Sequence, residues 1–412
     1  MTSLVGPVLA QAQLIPPTSI PASPLNNNSL YQTGVEQFRG GLFQDALETF
    51  EQVRRQLNPE TESMVLAETL TSIGEVYTNL SEDTSALQAL QQALEIYRRQ
   101  SPASEGDRQL LNIGISRNLN LIGFINRSQS QFDLALKQHQ EALQLAETAQ
   151  DPASIAESFH NIASVYTNLG EYEQALEFYE KARPLREQVG DLRDYSRTLN
   201  NLGALYFSMG NSPKALTIYQ QALAMRRQIG DQAGVGRLLS NMGLIYRQLG
   251  DNTQALAHFK QAVSLLERIN DSSNASRIYS LIGSIYEAQN QGNEAIAATQ
   301  QAITLAKTAA DDERLGDAWN QLGSIYTNQN QYQEALQAYQ NALEVRQRIG
   351  VKTEIGNTLN NLGQVYASLG NYTQAVETLQ QAVTLWKETG DSEGEQAARK
   401  ILQTIEQKQG QQ

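Results

Sequence analysis

Residues 191–230 read DLRDYSRTLNNLGALYFSMGNSPKALTIYQQALAMRRQIG, and this stretch decides the fold. Leu199, Leu202, Leu205 and Tyr206 stand at i, i+3, i+6 and i+7, which places their side chains on one face of a helix. After an interruption, apolar residues return with helical spacing from 215 to 223. The stretch therefore predicts two amphipathic helices joined by a short turn.

The residues between and after these helices are typical of turns. Gly210 lies past the predicted end of the first helix, Ser212 is the expected N-cap of the second, and Pro213 is its expected first residue. Gly230 is expected to stop the second helix, and Asp231 to cap the helix that follows. A helix pair therefore begins and ends within 40 residues.

The same pattern recurs along the chain. The small residue at the Gly203 position is expected where two antiparallel helices approach closely, and it occurs in nine copies, as Gly34, Gly74, Gly123, Ala163, Gly203, Gly243, Gly283, Gly323 and Gly363. The period is 40 residues from 123 to 363 and 49 residues between 74 and 123, so nine residues are inserted, and 101–107 is their expected place. The first copy is the poorest, with Gln37 and Val53 at consensus positions. Because neither helix of a pair can bury its apolar face alone, the copies are expected to stack.

The predicted organisation is all-α. Residues 1–28 form a leader rich in Pro and Asn, 29–390 form the repeat array, 391–408 form a capping helix and 409–412 a tail. The nine repeats are expected near 30–60, 67–100, 116–149, 156–189, 196–229, 236–269, 276–309, 316–349 and 356–389.

This pattern resembles the tetratricopeptide repeat, over about residues 30–408. Long repeats with Leu-Asn-Asn-Leu-Gly in the first helix (199–203) look most like those of the kinesin light chain group and of the LGN-type G-protein-signalling modulators. The resemblance implies a right-handed α-solenoid in which the first helices line a concave groove. It also implies a scaffold for protein–protein interaction.

In the LGN-type family, target peptides are gripped at the string Arg-x-x-x-Asn-Leu-Gly. Arg197 and Asn201, followed by Leu-Gly, match this string, and Arg237 and Asn241 match it with Met before Gly. The candidate groove residues are therefore Arg197, Asn200, Asn201, Arg237, Asn241, Arg247, Arg277, Asn161 and Asn168. Repeats eight and nine have Asp317 and Asn357 at the Arg position, so the expected binding centre lies around repeats five and six.

The chemistry of these residue types fits a peptide ligand. An Asn side chain offers both a donor and an acceptor, which matches a peptide amide, and Arg offers a planar fork for a carboxylate. The expected partner is a protein or peptide with acidic residues. The alternative is a structural face, in which Asn bridges adjacent repeats. A second alternative is a self-assembling or spacer array, in which a homo-oligomer forms through the poor first repeat.

Composition argues against other function classes. The net charge of −13 argues against nucleic-acid binding, which needs a basic surface, and the absence of Cys excludes thiol catalysis and zinc ribbons. His139, His160 and His258 lack zinc-motif spacing and are expected to be partly buried or surface histidines. The string from Gly390 to Gly394 fits Gly-x-Ser-x-Gly, but it lies in the register of an interhelical turn. We therefore expect no enzyme activity, no metal site and no cofactor.

The leader bears on localisation. Residues 8–12, Val-Leu-Ala-Gln-Ala, look like the end of a secretory signal with an Ala-x-Ala cleavage site, although no Lys or Arg precedes Arg39. A truncated signal implies an extracytoplasmic or periplasmic protein, and a plain tail implies a cytoplasmic one. No apolar run reaches the ~18 residues that a membrane span needs.

Overall fold

A computed structural model describes residues 24–409 of the chain. Over this range it contains a short 3-10 helix, Pro24–Asn27, and no strand. The α-helices are α1 Ser29–Arg39, α2 Phe43–Gln56, α3 Ser63–Asn79, α4 Asp83–Arg98, α5 Glu105–Ser128, α6 Phe132–Ala149, α7 Pro152–Leu169, α8 Tyr172–Val189, α9 Leu192–Ser208, α10 Ser212–Gln228, α11 Gln232–Gln248, α12 Asn252–Arg268, α13 Ser272–Ala288, α14 Gly292–Thr308, α15 Asp312–Asn328, α16 Tyr332–Ile349, α17 Lys352–Ser368, α18 Tyr372–Thr389 and α19 Ser392–Gln409.

The helices form antiparallel pairs, each made of an odd-numbered first helix and the even-numbered second helix that follows it. The chain divides into two compact units, unit 1 up to Ile229 and unit 2 from Gly230. Unit 1 holds α1–α10 and unit 2 holds α11–α19, and within each unit the pairs stack on their neighbours. The expected all-α fold of repeated helix pairs is confirmed.

The glycine of the repeat is needed for close helix packing. A Cβ on Gly203 would lie 2.8 Å from Cε1 of Tyr219, and a Cβ on Gly243 would lie 2.6 Å from Cε1 of Phe259. Both aromatic rings belong to the second helix of the same pair and are fully buried. At Gly203 and Gly243 an added Cβ would force the ring or the helices to shift, because packed interiors have no room for an extra group.

Turns between helices use the left-handed backbone that the sequence predicts. Gly210 has φ +78°, and Asn290 and Asn330 take the same conformation at the equivalent position, as Asn does more readily than most residues. The cap of α10 differs by one residue from the expectation: Asn211 is the N-cap and accepts from the Lys214 amide, and the helix begins at Ser212.

The insertion between the second and third repeats lengthens a helix. α5 has 24 residues, whereas α9 and α11 have 17. Ser104 caps α5 by accepting a hydrogen bond from the Asp107 amide at 3.0 Å. Acidic residues in the first turn then favour the helix through its dipole.

Both ends of the array are covered. Leu25, in the 3-10 helix, is 1% exposed and packs with Tyr31 and Val35, so residues 24–28 belong to the fold rather than to the predicted leader. The remainder of that leader, 1–23, and the last three residues of the tail lie outside the described range. At the other end, Ala398 and Ile405 of α19 cover Trp386, which is 1% exposed.

Candidate binding surface on the first helices

Many polar side chains of the first helices join consecutive repeats. Asn120 of α5 donates to Ser158 Oγ of α7 at 2.9 Å, and Gln321 of α15 donates to the Ser280 carbonyl of α13 at 2.8 Å. Further pairs of this kind are Arg127 with Asn168, Asn201 with His160, Asn328 with Glu287, and Asn361 with Asn320. The bridging role that the sequence left open for Asn is therefore present.

In unit 1, the arginine six residues before the packing glycine is neutralised by the chain itself. Arg117 makes two hydrogen bonds to the Glu75 carboxylate, Nε to Oε1 at 2.8 Å and Nη2 to Oε2 at 2.6 Å. The Glu75 side chain is fully buried and that of Arg117 is 11% exposed. This pair is closed to an outside ligand.

Arg197, the equivalent residue two repeats later, is also inaccessible to an outside ligand. It is 5% exposed and pairs with Glu157 and with Asp194. Burial by itself opposes its charged form, but the carboxylates of Glu157 and Asp194 more than offset this and raise the pKa of Arg197. Arg186, from the second helix α8, pairs with the same Glu157.

The expectation that Arg197 faces a ligand therefore needs correction. Glu157 occupies the same register one repeat earlier, six residues before Ala163, and supplies the carboxylate that a ligand was expected to bring. The sequence contains a signal for this ion pair. Six residues before the packing Gly or Ala, repeat four has Glu157, whereas repeats three and five have Arg117 and Arg197.

The candidate asparagines of unit 1 differ in accessibility. Asn161 and Asn200 are buried, at 4% and 5% exposed. Asn201 is half-buried and lies 3.3 Å from His160 Nε2. Asn168 is exposed at the end of α7 and accepts from Arg127. Asn201 and Asn168 are therefore the two members of this group that solvent reaches.

In unit 2, the arginines of the same register are not neutralised. Arg237 of α11 and Arg277 of α13 are half-buried, and the Nε of each is buried without a hydrogen-bond partner in the described part of the chain. Burial, together with the positive charge of Arg314, lowers the pKa of Arg277 to about 10, and Asp271 offsets this only in part.

Two further candidates lie on α11. Arg247 is half-buried, and burial lowers its pKa. No ion pair involves Arg247 within residues 24–409. Asn241 is 6% exposed. Within the described part of unit 2, Arg237, Arg247 and Arg277 are thus cationic side chains of first helices that have no carboxylate partner.

The candidate residues of repeats five and six, where the binding centre was expected, belong to different units. Repeat five closes unit 1 and repeat six opens unit 2. In repeat eight, the residue six positions before the packing glycine is Asp317, which pairs with Arg346 of α16 at 2.8 Å.

Two histidines are more deeply buried than expected. His139 is fully buried against Gly123, and its Nδ1 lies 2.9 Å from Asn120 Oδ1. Burial, assisted by the charge of Arg127, lowers the pKa of His139 to about 3. His160 is 3% exposed, and its pKa is lowered for the same reason and by Arg197. The burial of His139 could have been predicted from its position in the repeat. Later repeats have the aromatic residues Tyr219 and Phe259 at the same position.

Other candidate chemistry finds little support. No cluster of three metal-binding side chains occurs within residues 24–409. The Gly-x-Ser-x-Gly string begins α19: Asp391 accepts from the Gly394 amide, and a Cβ on Gly394 would meet the Trp386 ring at 2.6 Å, so this glycine serves helix packing. None of the described helices combines the length and apolarity of a membrane span.

Family comparisons agree with the repeat. A tetratricopeptide repeat model matches residues 114–188, 154–228, 234–308 and 314–388, which together exceed half of the chain. A second tetratricopeptide repeat model matches residues 66–99. No curated protein matches the chain significantly.

Several solved structures share the fold of this chain. A Rap protein complexed with competence and sporulation factor is 17% identical, with a TM-score of 0.54, over 89% of this chain and 99% of its own. The apo quorum sensor NprR from B. thuringiensis is 16% identical, with a TM-score of 0.54, over 87% and 98%. A signal transduction ATPase with a tetratricopeptide repeat sensor from Pyrococcus horikoshii is 16% identical, with a TM-score of 0.60, over 84% and 56%. At these identities the likeness concerns the fold alone.

Proposed function

Because the chain belongs to the tetratricopeptide repeat family, we propose that it is a non-enzymatic scaffold that binds a segment of a protein partner on the first-helix face of unit 2. One observation carries the proposal: Arg237, Arg247 and Arg277 are cationic, half-buried and without a carboxylate partner in the described chain. Partly buried charges in proteins are normally paired, so an unpaired set is a natural place for a ligand of opposite charge.

The ligand that suits this surface is an acidic segment. A guanidinium binds a carboxylate through parallel hydrogen bonds, and such charge-assisted bonds are roughly twice as strong as neutral ones. A single exposed pair is worth only ~0–1 kcal/mol, so several must act together for measurable affinity.

Proteins with this fold lend general support. The similar Rap protein is complexed with competence and sporulation factor, and NprR is a quorum sensor. These two neighbours support the proposal that this chain binds a protein or peptide partner.

The proposal is tested by site-specific photo-crosslinking. A photoreactive amino acid replaces Ala288, exposed at the end of first helix α13, or Gln300, exposed on second helix α14. In lysate of the source cells, we expect a protein partner to crosslink from position 288 and not from position 300. The crosslink should weaken with salt, because screening reduces contacts between exposed charges.

Equal crosslinking from both positions would contradict the proposal. Crosslinking of the chain only to its own copies would favour the self-assembling array, and sedimentation velocity at several concentrations then measures the oligomer.

A further inference from the structure

A cavity in unit 1 opens between the second helices α2 and α4. It has a volume of about 440 Å³, and its lining comes from the end of α2, the loop that follows, the first half of α3 and the end of α4. Sites for small molecules have volumes of ~300–1,000 Å³. The cavity is therefore large enough for a small ligand, and it belongs to a different unit from the surface assigned to the partner segment above.

The cavity lies where a second helix ends early. α2 has 14 residues, whereas α8 has 18 and α10 has 17. A loop, 57–62, follows α2, whereas only Gly190 and Asp191 join α8 to α9. Pro59 of this loop lines the cavity. The side chains that a full last turn of α2 would place there are therefore absent from the packing.

Hydrogen bonds hold the loop in place. The Asn58 amide donates to the Glu62 carboxylate at 2.8 Å. At the far end of the loop, Ser63 Oγ donates to Oε1 of Gln100, just past α4, at 3.1 Å. The wall of the cavity is thus formed in advance of any ligand, which lowers the entropic cost of binding.

The lining combines an apolar floor with a cationic rim. Leu70 is 4% exposed, and Leu66 and Ile96 are half-buried beside it. The charged side chains of the lining are three arginines and one glutamate, namely Arg54, Arg55, Arg99 and Glu95. In a chain with a net charge of −13, this local excess of positive charge favours an anion that also has an apolar part.

The three arginines are available to such an anion. Arg55 makes no ion pair in the described part of the chain. Arg54 pairs with Glu51 at 2.7 Å and Arg99 pairs with Glu95, each within one helix, and the two arginine side chains are 42% and 74% exposed. Exposed pairs of this kind contribute little to stability, so these guanidinium groups can turn toward a ligand at small cost.

We propose that this cavity binds an aliphatic carboxylate. The alkyl chain lies against the leucine and isoleucine side chains of the floor, where its burial is favourable. The carboxylate accepts hydrogen bonds from Arg55 of α2 and Arg99 at the end of α4, because a guanidinium matches a carboxylate with parallel donors. The site involves the second helices of repeats one and two and does not depend on the function proposed above.

Isothermal titration calorimetry of the full chain tests the site with octanoate, hexanoate and 1-octanol. We expect one octanoate to bind per chain. Because each buried methylene strengthens binding roughly fourfold, hexanoate should bind roughly tenfold more weakly. 1-Octanol has the same chain length without the charge and should also bind roughly tenfold more weakly, since it lacks the charge-assisted hydrogen bonds.

Variants of exposed arginines locate the head group without disturbing the core. Arg55→Gln/Arg99→Gln should weaken octanoate binding roughly tenfold. The matched control is Arg268→Gln, because Arg268 ends α12 at the same position of its repeat as Arg99 and is also exposed. This control should bind octanoate as wild type does. Far-UV circular dichroism checks that both variants keep the wild-type helix content.

Hydrogen exchange read by mass spectrometry locates the ligand independently. Octanoate should slow exchange in 57–70 and 92–100 and leave exchange in unit 2 unchanged. Equal affinity for octanoate and 1-octanol, equal affinity of wild type and Arg55→Gln/Arg99→Gln, or protection confined to other segments would each overturn the inference. The crosslink from position 288 is measured separately, so loss of this site would leave the scaffold function intact.

Discussion

His139 illustrates how one buried residue couples the fold to pH. Its pKa is about 6.5 in the unfolded chain and about 3 in the folded protein, because burial disfavours the imidazolium. The unfolded state therefore binds more protons below pH 6.5. The stability that neutral His139 contributes is complete above pH 6.5 and is lost progressively as the pH falls toward 3.

We predict that His139→Phe reduces the acid sensitivity of the protein. Phe259 already fills the equivalent place against Gly243, so the ring should fit. Between pH 7 and 5, titration of His139 removes roughly 2 kcal/mol of stability, and the variant should not show this part of the loss. Urea unfolding at both pH values measures it. An unchanged slope in His139→Phe would contradict the prediction.

A second single residue on which stability depends is Gly243, the glycine at the close contact between α11 and α12. We predict that Gly243→Ala lowers the free energy of unfolding by about 1–3 kcal/mol, because the new Cβ would lie 2.6 Å from the buried Phe259 ring. The control is Gly106→Ala in α5, where the nearest atom to the Cβ is Ser104 Oγ at 3.7 Å. That change should be neutral or stabilising by up to ~1 kcal/mol, since alanine favours helix. Equal losses in both variants would exclude the packing explanation.

At the scale of single helices, the N-caps differ between repeats although the helices have similar lengths. Asp251 accepts from the Gln254 amide at 3.0 Å and caps α12. Gln291, at the equivalent position before α14, makes no capping hydrogen bond with its side chain. Capping is therefore an interchangeable contribution to each helix.

We predict that Asp251→Ala lowers the free energy of unfolding by about 1 kcal/mol and that Gln291→Asp raises it by about 0.5–1 kcal/mol. The physical reason is the satisfaction of an otherwise unpaired amide at the helix start. Denaturant melts of the two variants give the numbers, and a stabilising effect of Asp251→Ala would refute the assignment of this cap.

For the whole molecule, the last helix determines how the array ends. α19 covers the apolar face of α18, where Trp386 is 1% exposed and Leu379 is fully buried. In repeat arrays each pair contacts only its neighbours, and a polar cap protects the end.

We predict that deletion of residues 391–412 destabilises α17 and α18 first, because it exposes Trp386 to water at a cost of roughly 2–3 kcal/mol. Hydrogen exchange read by mass spectrometry should report faster exchange in 352–389 and an unchanged rate in α3 and α4. A uniform rise in exchange along the chain would indicate global rather than nearest-neighbour coupling.

Most of the architecture of the whole molecule could be predicted from the sequence. The 40-residue period, the helix pairs and the close glycine contacts follow from local spacing, which the chain displays within each repeat. The burial of Leu25 could not be predicted from the sequence, because Pro and Asn are typical of linkers and this burial depends on contacts with α1.

The candidate site was predictable only in part. Sequence places Arg117, Arg197, Arg237 and Arg277 in one register and marks them as equal. Their accessibility differs because the neutralising carboxylates come from distant residues, Glu75 for Arg117 and Glu157 for Arg197, and Glu75 does not share the register.

The sequence by itself thus determined the helix pairs and the period at which they repeat, because the apolar spacing of each pair depends on residues a few positions apart. Only the tertiary structure decided which arginines form ion pairs within the described chain and which have no carboxylate partner there. The physical reason is that the energy of a guanidinium depends on the carboxylates and the burial around it in space. Arg197 and Arg277 therefore differ in their electrostatic surroundings while sharing one position of the repeat.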